Sequence, residues 1–320
     1  MQININYELK SLYGRQQNIN NYTLGTSERI VMSSPILISP HTLSSLIDQD
    51  APVVIVDTRN SKAFARSHIT NAVNIRDFFT YLVTSDEAGY DKFRDHFTHL
   101  LSAAGIDGSK QVIVYEEKLN NGFGQSCRGW LILQALGHTN AMVLDGGFHI
   151  WQKLGKQVTT EIFQPEPATF LVDKTAINKV FVDRDEMLRA IADQDIYILD
   201  IRSQAEWEGH SSSPYDTELA SRKGRLSSAI WLQWDKLMAT SARYLPSKYI
   251  VSTMRQFGIC QQDTIYIYCF KGARASNTYV ALKNTGFENI KVYFGSWNEW
   301  SRDDSLPTES IVIDVAPSMV

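Results

Sequence analysis

Cys269, Lys271 and Arg274 fall within one short stretch, Thr264-Ile-Tyr-Ile-Tyr-Cys-Phe-Lys-Gly-Ala-Arg-Ala-Ser-Asn-Thr278. A β-branched and aromatic run ends on the cysteine, a tight loop follows, and a helix of Ala, Tyr, Val and Leu runs to near Gly286. At such a turn the backbone N–H groups and the positive end of the helix converge on the sulfur and stabilise negative charge. No Asp or Glu occurs between Cys269 and Gly286, while two cations flank the sulfur. These residue types specify a thiolate nucleophile with an anion cradle. Successive N–H groups from Phe270 through Gly272 and Ala273 to Ala275 can hold a small anion. Lys271 offers a point charge and Arg274 a planar fork, and Gly272 lets the loop curl tightly.

The elements that must position this loop read as alternating strands and helices. Ser39 or His41 opens a short helix through Leu46, and Pro52-Val-Val-Ile-Val56 is a buried strand running into Asp57-Thr-Arg59. A strand over Ala72–Ile75 follows. The apolar spacing of Phe93, Phe97, Leu100 and Leu101 predicts a helix over Asp91–Ala104, stopped by Gly105. Next come a strand at Gln111–Tyr115, a helix at Ser126–Leu136 and a strand at Ala141–Leu144. Short buried strands alternating with helices predict an α/β fold with parallel sheets covered on both faces.

The pattern then repeats. Ile196-Tyr-Ile-Leu199 leads into Asp200-Ile-Arg202, 143 residues after Val53 led into Asp57-Thr-Arg59. Ala229–Leu232 answers Ala72–Ile75 at 157 residues, which places an insertion of about fourteen residues within Glu208–Arg225. Thr264–Tyr268 answers Gln111–Tyr115, and Gly295-Ser-Trp-Asn-Glu-Trp300 answers Gly146-Gly-Phe-His-Ile-Trp151 at 149 residues. Two copies of one α/β unit explain all four correspondences. In the first copy the place of Cys269 is held by Glu116, which cannot act as a sulfur nucleophile. The proline-bearing Gln164-Pro-Glu-Pro-Ala168 predicts an extended linker over residues 159–178.

Composition excludes several classes. A formal charge of −4 over 320 residues, with 43% apolar and 21% charged residues, gives no basis for binding nucleic acid or an anionic membrane. Any attraction for an anion must be local to the cysteine loop. No stretch reaches the ~20 apolar residues of a membrane helix. Cys127, Cys260 and Cys269 cannot all pair and show no zinc-ligand spacing, so no metal is expected and a reducing, cytoplasmic setting is.

The chain resembles a two-domain rhodanese-type sulfurtransferase of the thiosulfate/3-mercaptopyruvate family. The matching pieces are Val56-Asp-Thr-Arg59 with Phe64 and His68-Ile69, Leu199-Asp-Ile-Arg202, Cys269-Phe-Lys-Gly-Ala-Arg274, and Phe294-Gly-Ser-Trp-Asn-Glu-Trp300 followed by Asp304-Ser-Leu-Pro307. They cover roughly Pro35 to Glu309. The resemblance implies two tandem rhodanese-like domains, each a small parallel sheet flanked by helices: residues 34–158 without a nucleophile and residues 179–320 catalytic, after a weakly ordered extension over residues 1–33. It implies that Cys269 attacks the outer sulfur of a small anionic donor, and that its persulfide passes sulfur to cyanide, a thiol or a protein thiol. No cofactor is needed, and a monomer suffices. Phosphatases of the same fold place five residues between cysteine and arginine; here there are four, a loop better sized for one sulfur than for a tetrahedral oxyanion.

Within the family, Lys271 matches the thiosulfate-type lysine, where mercaptopyruvate-type loops carry Gly-Ser in place of Phe270-Lys271. An arginine that often follows the second Asp-x-Arg by four residues is Glu206 here, with Arg222, Lys223 or Arg225 as candidate substitutes. Arg202 is a further candidate for substrate contact, set against a structural ion pair with Asp200 like that of Asp57 with Arg59. Trp297 would line the pocket or fill the sheet-helix interface, and Asp77 and His68 are candidate contributors from the first domain. Cys127 reads as a packed helix cysteine and Cys260 as a buried apolar one.

Overall fold

The computed structural model describes residues 36–309; the expected weakly ordered extension over residues 1–33 lies outside them. The strands in chain order are Leu37–Ile38 (β1), Val53–Asp57 (β2), His68–Ile69 (β3), Ala72–Asn74 (β4), Gln111–Tyr115 (β5), Ala141–Leu144 (β6), Val158–Thr159 (β7), Phe181–Val182 (β8), Ile196–Asp200 (β9), Ile230–Trp231 (β10), Thr264–Tyr268 (β11) and Ile290–Tyr293 (β12). One parallel sheet has the order β1-β6-β5-β2-β4. The other has β10-β9-β11-β12-β8, which is the same order read from its opposite edge. The repeat in the sequence is therefore a repeat of topology.

Side-chain alternation along these strands sorts the core into layers. Val54, Val56, Val112 and Val114 of the first sheet join Ile265 and Ile267 of the second in one continuous apolar core, while Ile55 and Ile113, and Tyr266 and Tyr268, face separate outer cores. The shared layer holds the helices Gln125–Ala135 and Ala273–Lys283, which are equivalent in the two copies and pack on each other, with the Trp130 and Tyr279 rings 6.1 Å apart. Gly124 makes this approach possible, because a Cβ there would collide with the Ala273 carbonyl. Cys269 continues the alternation of Ile265 and Ile267, so the fold aims its side chain into the layer between the halves.

Two expectations shift. The helix predicted from Asp91 begins at Glu87, because Asp86 accepts the Gly89 N–H at 2.9 Å and caps it a turn earlier. The segment predicted as an extended linker is fastened to the first half: β7 pairs with β3, Ala168 and Phe170 donate to Ser102, Asp173 donates to the Leu136 carbonyl, and a helical turn at Ile177–Val180 closes it.

Candidate active site

The Cys269 loop is built by its neighbours. The Ala273–Lys283 helix begins after Gly272, whose φ of 82° and contact with the Phe294 ring leave no room for a side chain. The Cys269 carbonyl accepts the Trp297 N–H at 3.0 Å, and the Phe270 carbonyl accepts the Asn298 N–H at 2.8 Å. Ser296 completes the clamp. Its Oγ accepts N–H groups from both Cys269 (3.2 Å) and Gly272 (3.1 Å) and donates to the Tyr293 carbonyl at 2.7 Å. Gly272 therefore spends its N–H on the loop itself, a correction to the cradle expected from sequence. The N–H groups of Ala273, Arg274 and Ala275 lie in the first helical turn, where no preceding carbonyl can take them. Ser296 adopts φ 55°, as Gly147 adopts φ 67° at the equivalent corner of the first half. Its place after Gly295 was visible in the sequence; its bonds to a loop 27 residues earlier were not.

Charge around the loop differs from the expectation in one respect. Arg274 forms a bidentate pair with Glu206, at 2.7 and 2.9 Å, both side chains buried. Burial alone would raise the Glu206 carboxyl, but the Arg274 guanidinium outweighs it and holds the group below its ordinary value. Glu206 also closes a capping box with Ser203. Arg274 thus does not enter the site as a free cation. Lys271 does. Its ammonium lies 3.9 Å from the Phe79 ring centroid and 4.8 Å from that of Tyr215, with no carboxylate in ion-pairing range among the described residues. Burial, then the nearby Arg128 and Arg76, push Lys271 down to about 7.

Tyr215 comes from the inserted segment and Phe79 from the first half. Tyr215, 46% exposed, meets Phe270 edge-on at 5.7 Å and lies 6.4 Å from Phe123. Cys269 itself is only 1% exposed. Arg128, also from the first half, donates to the Lys271 carbonyl at 3.1 Å. Its sequence signal is a charge directly before the apolar run Gly129-Trp-Leu-Ile-Leu133.

The other candidates are committed elsewhere. Arg202 is buried against Asp200 (2.6 Å) and between Tyr268 and Trp297, the structural alternative weighed above, and Asp57 with Arg59 matches it. Trp297 fills the interface and donates Nε1–H to the Arg222 carbonyl. Arg225 pairs with Glu309 and stacks on Trp207, Lys223 pairs with Glu218, and Arg222 donates to the carbonyls of Trp300, Ser301, Asp303 and Leu306. Asp77 pairs with His96 at 2.8 Å, and His68 bridges the Phe64 and Glu161 carbonyls. Cys127 is buried beside the Tyr244 hydroxyl at 3.3 Å, and Cys260 is half-buried in the turn before β11 rather than enclosed. All three cysteines are free, and no group of metal-ligating side chains occurs among the described residues. No helix among them is long and apolar enough to cross a membrane.

In the first half, Glu116 occupies the place of Cys269. It is fully buried at the start of the Gln125–Ala135 helix, accepts the Ser126 N–H at 3.0 Å, and is pushed by burial up to about 8. The folded state then holds a proton there that the unfolded chain releases near the ordinary value of 4.5, so stability falls as pH rises from about 4.5 and levels off above about 8. Glu116→Gln, an isostere of the protonated acid, is expected to unfold at the same temperature as the parent near pH 4. At pH 9 it should be more stable by up to about 5 kcal/mol, read by thermal melts across pH; parallel profiles would refute the assignment.

Known proteins match this arrangement. The family model described as Rhodanese-like domain matches twice, over residues 39–154 and 183–303. A thiosulfate sulfurtransferase of Azotobacter vinelandii is 26% identical over 278 residues, covering 87% of this chain and 98% of that protein. A sulfur carrier protein of Thermus thermophilus is 24% identical, covering 82% of this chain and 89% of its own. Among solved structures, an anaerobic ergothioneine biosynthesis enzyme from Chlorobium limicola superposes with a TM-score of 0.76 at 20% identity, over 86% of this chain and 70% of that one, a likeness of fold.

Proposed function

Because the chain belongs to the rhodanese family of sulfurtransferases and carries two copies of its domain, we propose that Cys269 of the second copy takes sulfur from thiosulfate and passes it on as a persulfide. The Cys269 thiolate attacks the outer sulfur of the donor; the bond between the two donor sulfurs breaks and sulfite leaves with the electron pair. Cyanide or a thiolate then attacks the terminal sulfur of the persulfide, and the Cys269 thiolate is released for another cycle.

The observation that carries this reading is the excess of positive charge at the loop: Lys271 and Arg128 approach it without a carboxylate partner among the described residues. An anionic donor supplies what they lack. Lys271 is the group that binds it, through the sulfonate end. Since Lys271 titrates near 7 in the free protein, its charge is present below that pH and lost above it. The kcat/KM for thiosulfate should therefore decline as pH rises through about 7 on an alkaline limb that Lys271→Arg moves out of range. A limb unchanged in Lys271→Arg would assign the titration to another group.

The donor is tested by steady-state kinetics with thiosulfate and with 3-mercaptopyruvate, cyanide being the acceptor in both. Thiosulfate is expected to be favoured in kcat/KM by at least about tenfold, the effect of one matched charge contact; a preference for mercaptopyruvate would overturn the assignment. The similarity to a sulfur carrier protein favours one second reading, in which the Cys269 persulfide forms once and awaits a protein thiol. That reading predicts one added sulfur by mass and no multiple turnover with cyanide.

A further inference from the structure

Four arginines are buried among the described residues: Arg59, Arg128, Arg202 and Arg274. Three hold a carboxylate, from Asp57, Asp200 and Glu206 respectively. Arg128 has none among the described residues. Its guanidinium, fully enclosed, donates instead to three carbonyls, those of Phe78 (2.8 Å), Tyr81 (2.7 Å) and Lys271 (3.1 Å), and lies over the Phe294 ring at 4.4 Å. A buried charge without a counter-charge is costly. Two of its carbonyls belong to the half that lacks the nucleophile, and the third belongs to the catalytic loop.

We propose that Arg128 is a positioning residue for the reaction: it ties the Cys269 loop to the first half through the Lys271 carbonyl, and its fixed charge favours the sulfur anion in that loop. The first copy of the domain thus contributes to chemistry performed in the second. The inference rests on the sulfur-transfer reading given above. A lysine would keep the charge and lose the tie, since only a planar fork reaches three carbonyls at once. Burial brings Arg128 down to about 10, so it stays charged at neutral pH, where Lys271 does not fully.

The test is the rate at which iodoacetamide alkylates Cys269, followed by mass at pH 7 and pH 9 in the full chain and in Arg128→Met and Arg128→Lys. The other charged or titratable groups near the sulfur, Lys271, Arg76, Tyr215 and the Arg274–Glu206 pair, are the same in all three. Arg128→Met should alkylate about tenfold more slowly at pH 7 and recover at pH 9. Arg128→Lys, which keeps the charge and loses the fork, should stay within about threefold of the parent at pH 7 while melting at a lower temperature. Parental alkylation in Arg128→Met, or equal slowing at both pH values, would overturn the proposal. If Arg128→Met does not fold, Arg128→Lys decides alone, a tenfold loss at pH 7 counting against the proposal. Alkylation needs no sulfur donor, so a wrong donor assignment would show as absent turnover with this pattern intact.

Discussion

In the Cys269→Ala variant, transfer of sulfur from thiosulfate to cyanide is expected to fall by more than about a thousandfold, because no other group at the site can hold the sulfane sulfur between donor and acceptor. Cys127 cannot substitute: it is enclosed beside Tyr244, and burial raises its thiol well above the ordinary value. Glu116, at the equivalent position of the first copy, is a carboxyl. Loss of one buried sulfur costs stability of only about 1 kcal/mol, so the variant should fold and melt close to the parent. Mass measurement after incubation with thiosulfate should find one added sulfur on the parent and none on Cys269→Ala. Retained turnover, or an added sulfur on the variant, would remove Cys269 from the reaction.

Glu206→Gln should lower the unfolding free energy by about 3 kcal/mol, one of the largest single-residue effects expected in this chain. The substitution preserves shape and can keep the capping box with Ser203, yet it leaves the Arg274 guanidinium buried without its counter-charge. The linkage has a definite sign. The folded-state value of Glu206 is depressed, so the stabilisation is present above the ordinary carboxylate range and is lost as pH falls through the depressed value. Urea unfolding at pH 7 and at decreasing pH reads both effects. The double variant Glu206→Leu/Arg274→Met should recover most of the loss, since an apolar pair of similar volume can replace a buried ion pair. It also decides the role of Arg274. If that residue only braces the loop, the double variant keeps the parental KM for thiosulfate; a KM raised tenfold would return Arg274 to the donor site.

The repeat was legible because a strand ending in Asp-x-Arg and a Gly-x-aromatic corner recur with little change in spacing. Each leaves a local trace: Asp57 and Asp200 accept bonds from the arginine two residues on, and Trp151 and Trp300 both turn Nε1–H to a nearby carbonyl. Less legible were segments whose state depends on what lies against them. The linker reads as extended from its prolines, yet Ser102 and Leu136 of the first half bind it down. Arg202, Arg225, Trp297 and Asp77 have the residue types of a binding site, and the fold assigns them to ion pairs and packing.

What the sequence determined by itself about this protein is local: a cysteine at a strand end, with four residues between it and an arginine, opening a helix with no acid in its first turns, and a glutamate in the matching place of the first copy. Neighbours within a turn or two fix backbone geometry and the direction of the helix dipole, so that chemistry can be read from spacing. The tertiary structure alone decided which charges remain available. Glu206 neutralises Arg274 from 68 residues away, and Arg128 reaches the Lys271 carbonyl from 143 residues away. The first pair forms because β9 and β11 lie side by side in one sheet, the second because the two halves meet in one shared core, and no spacing along the chain encodes either meeting.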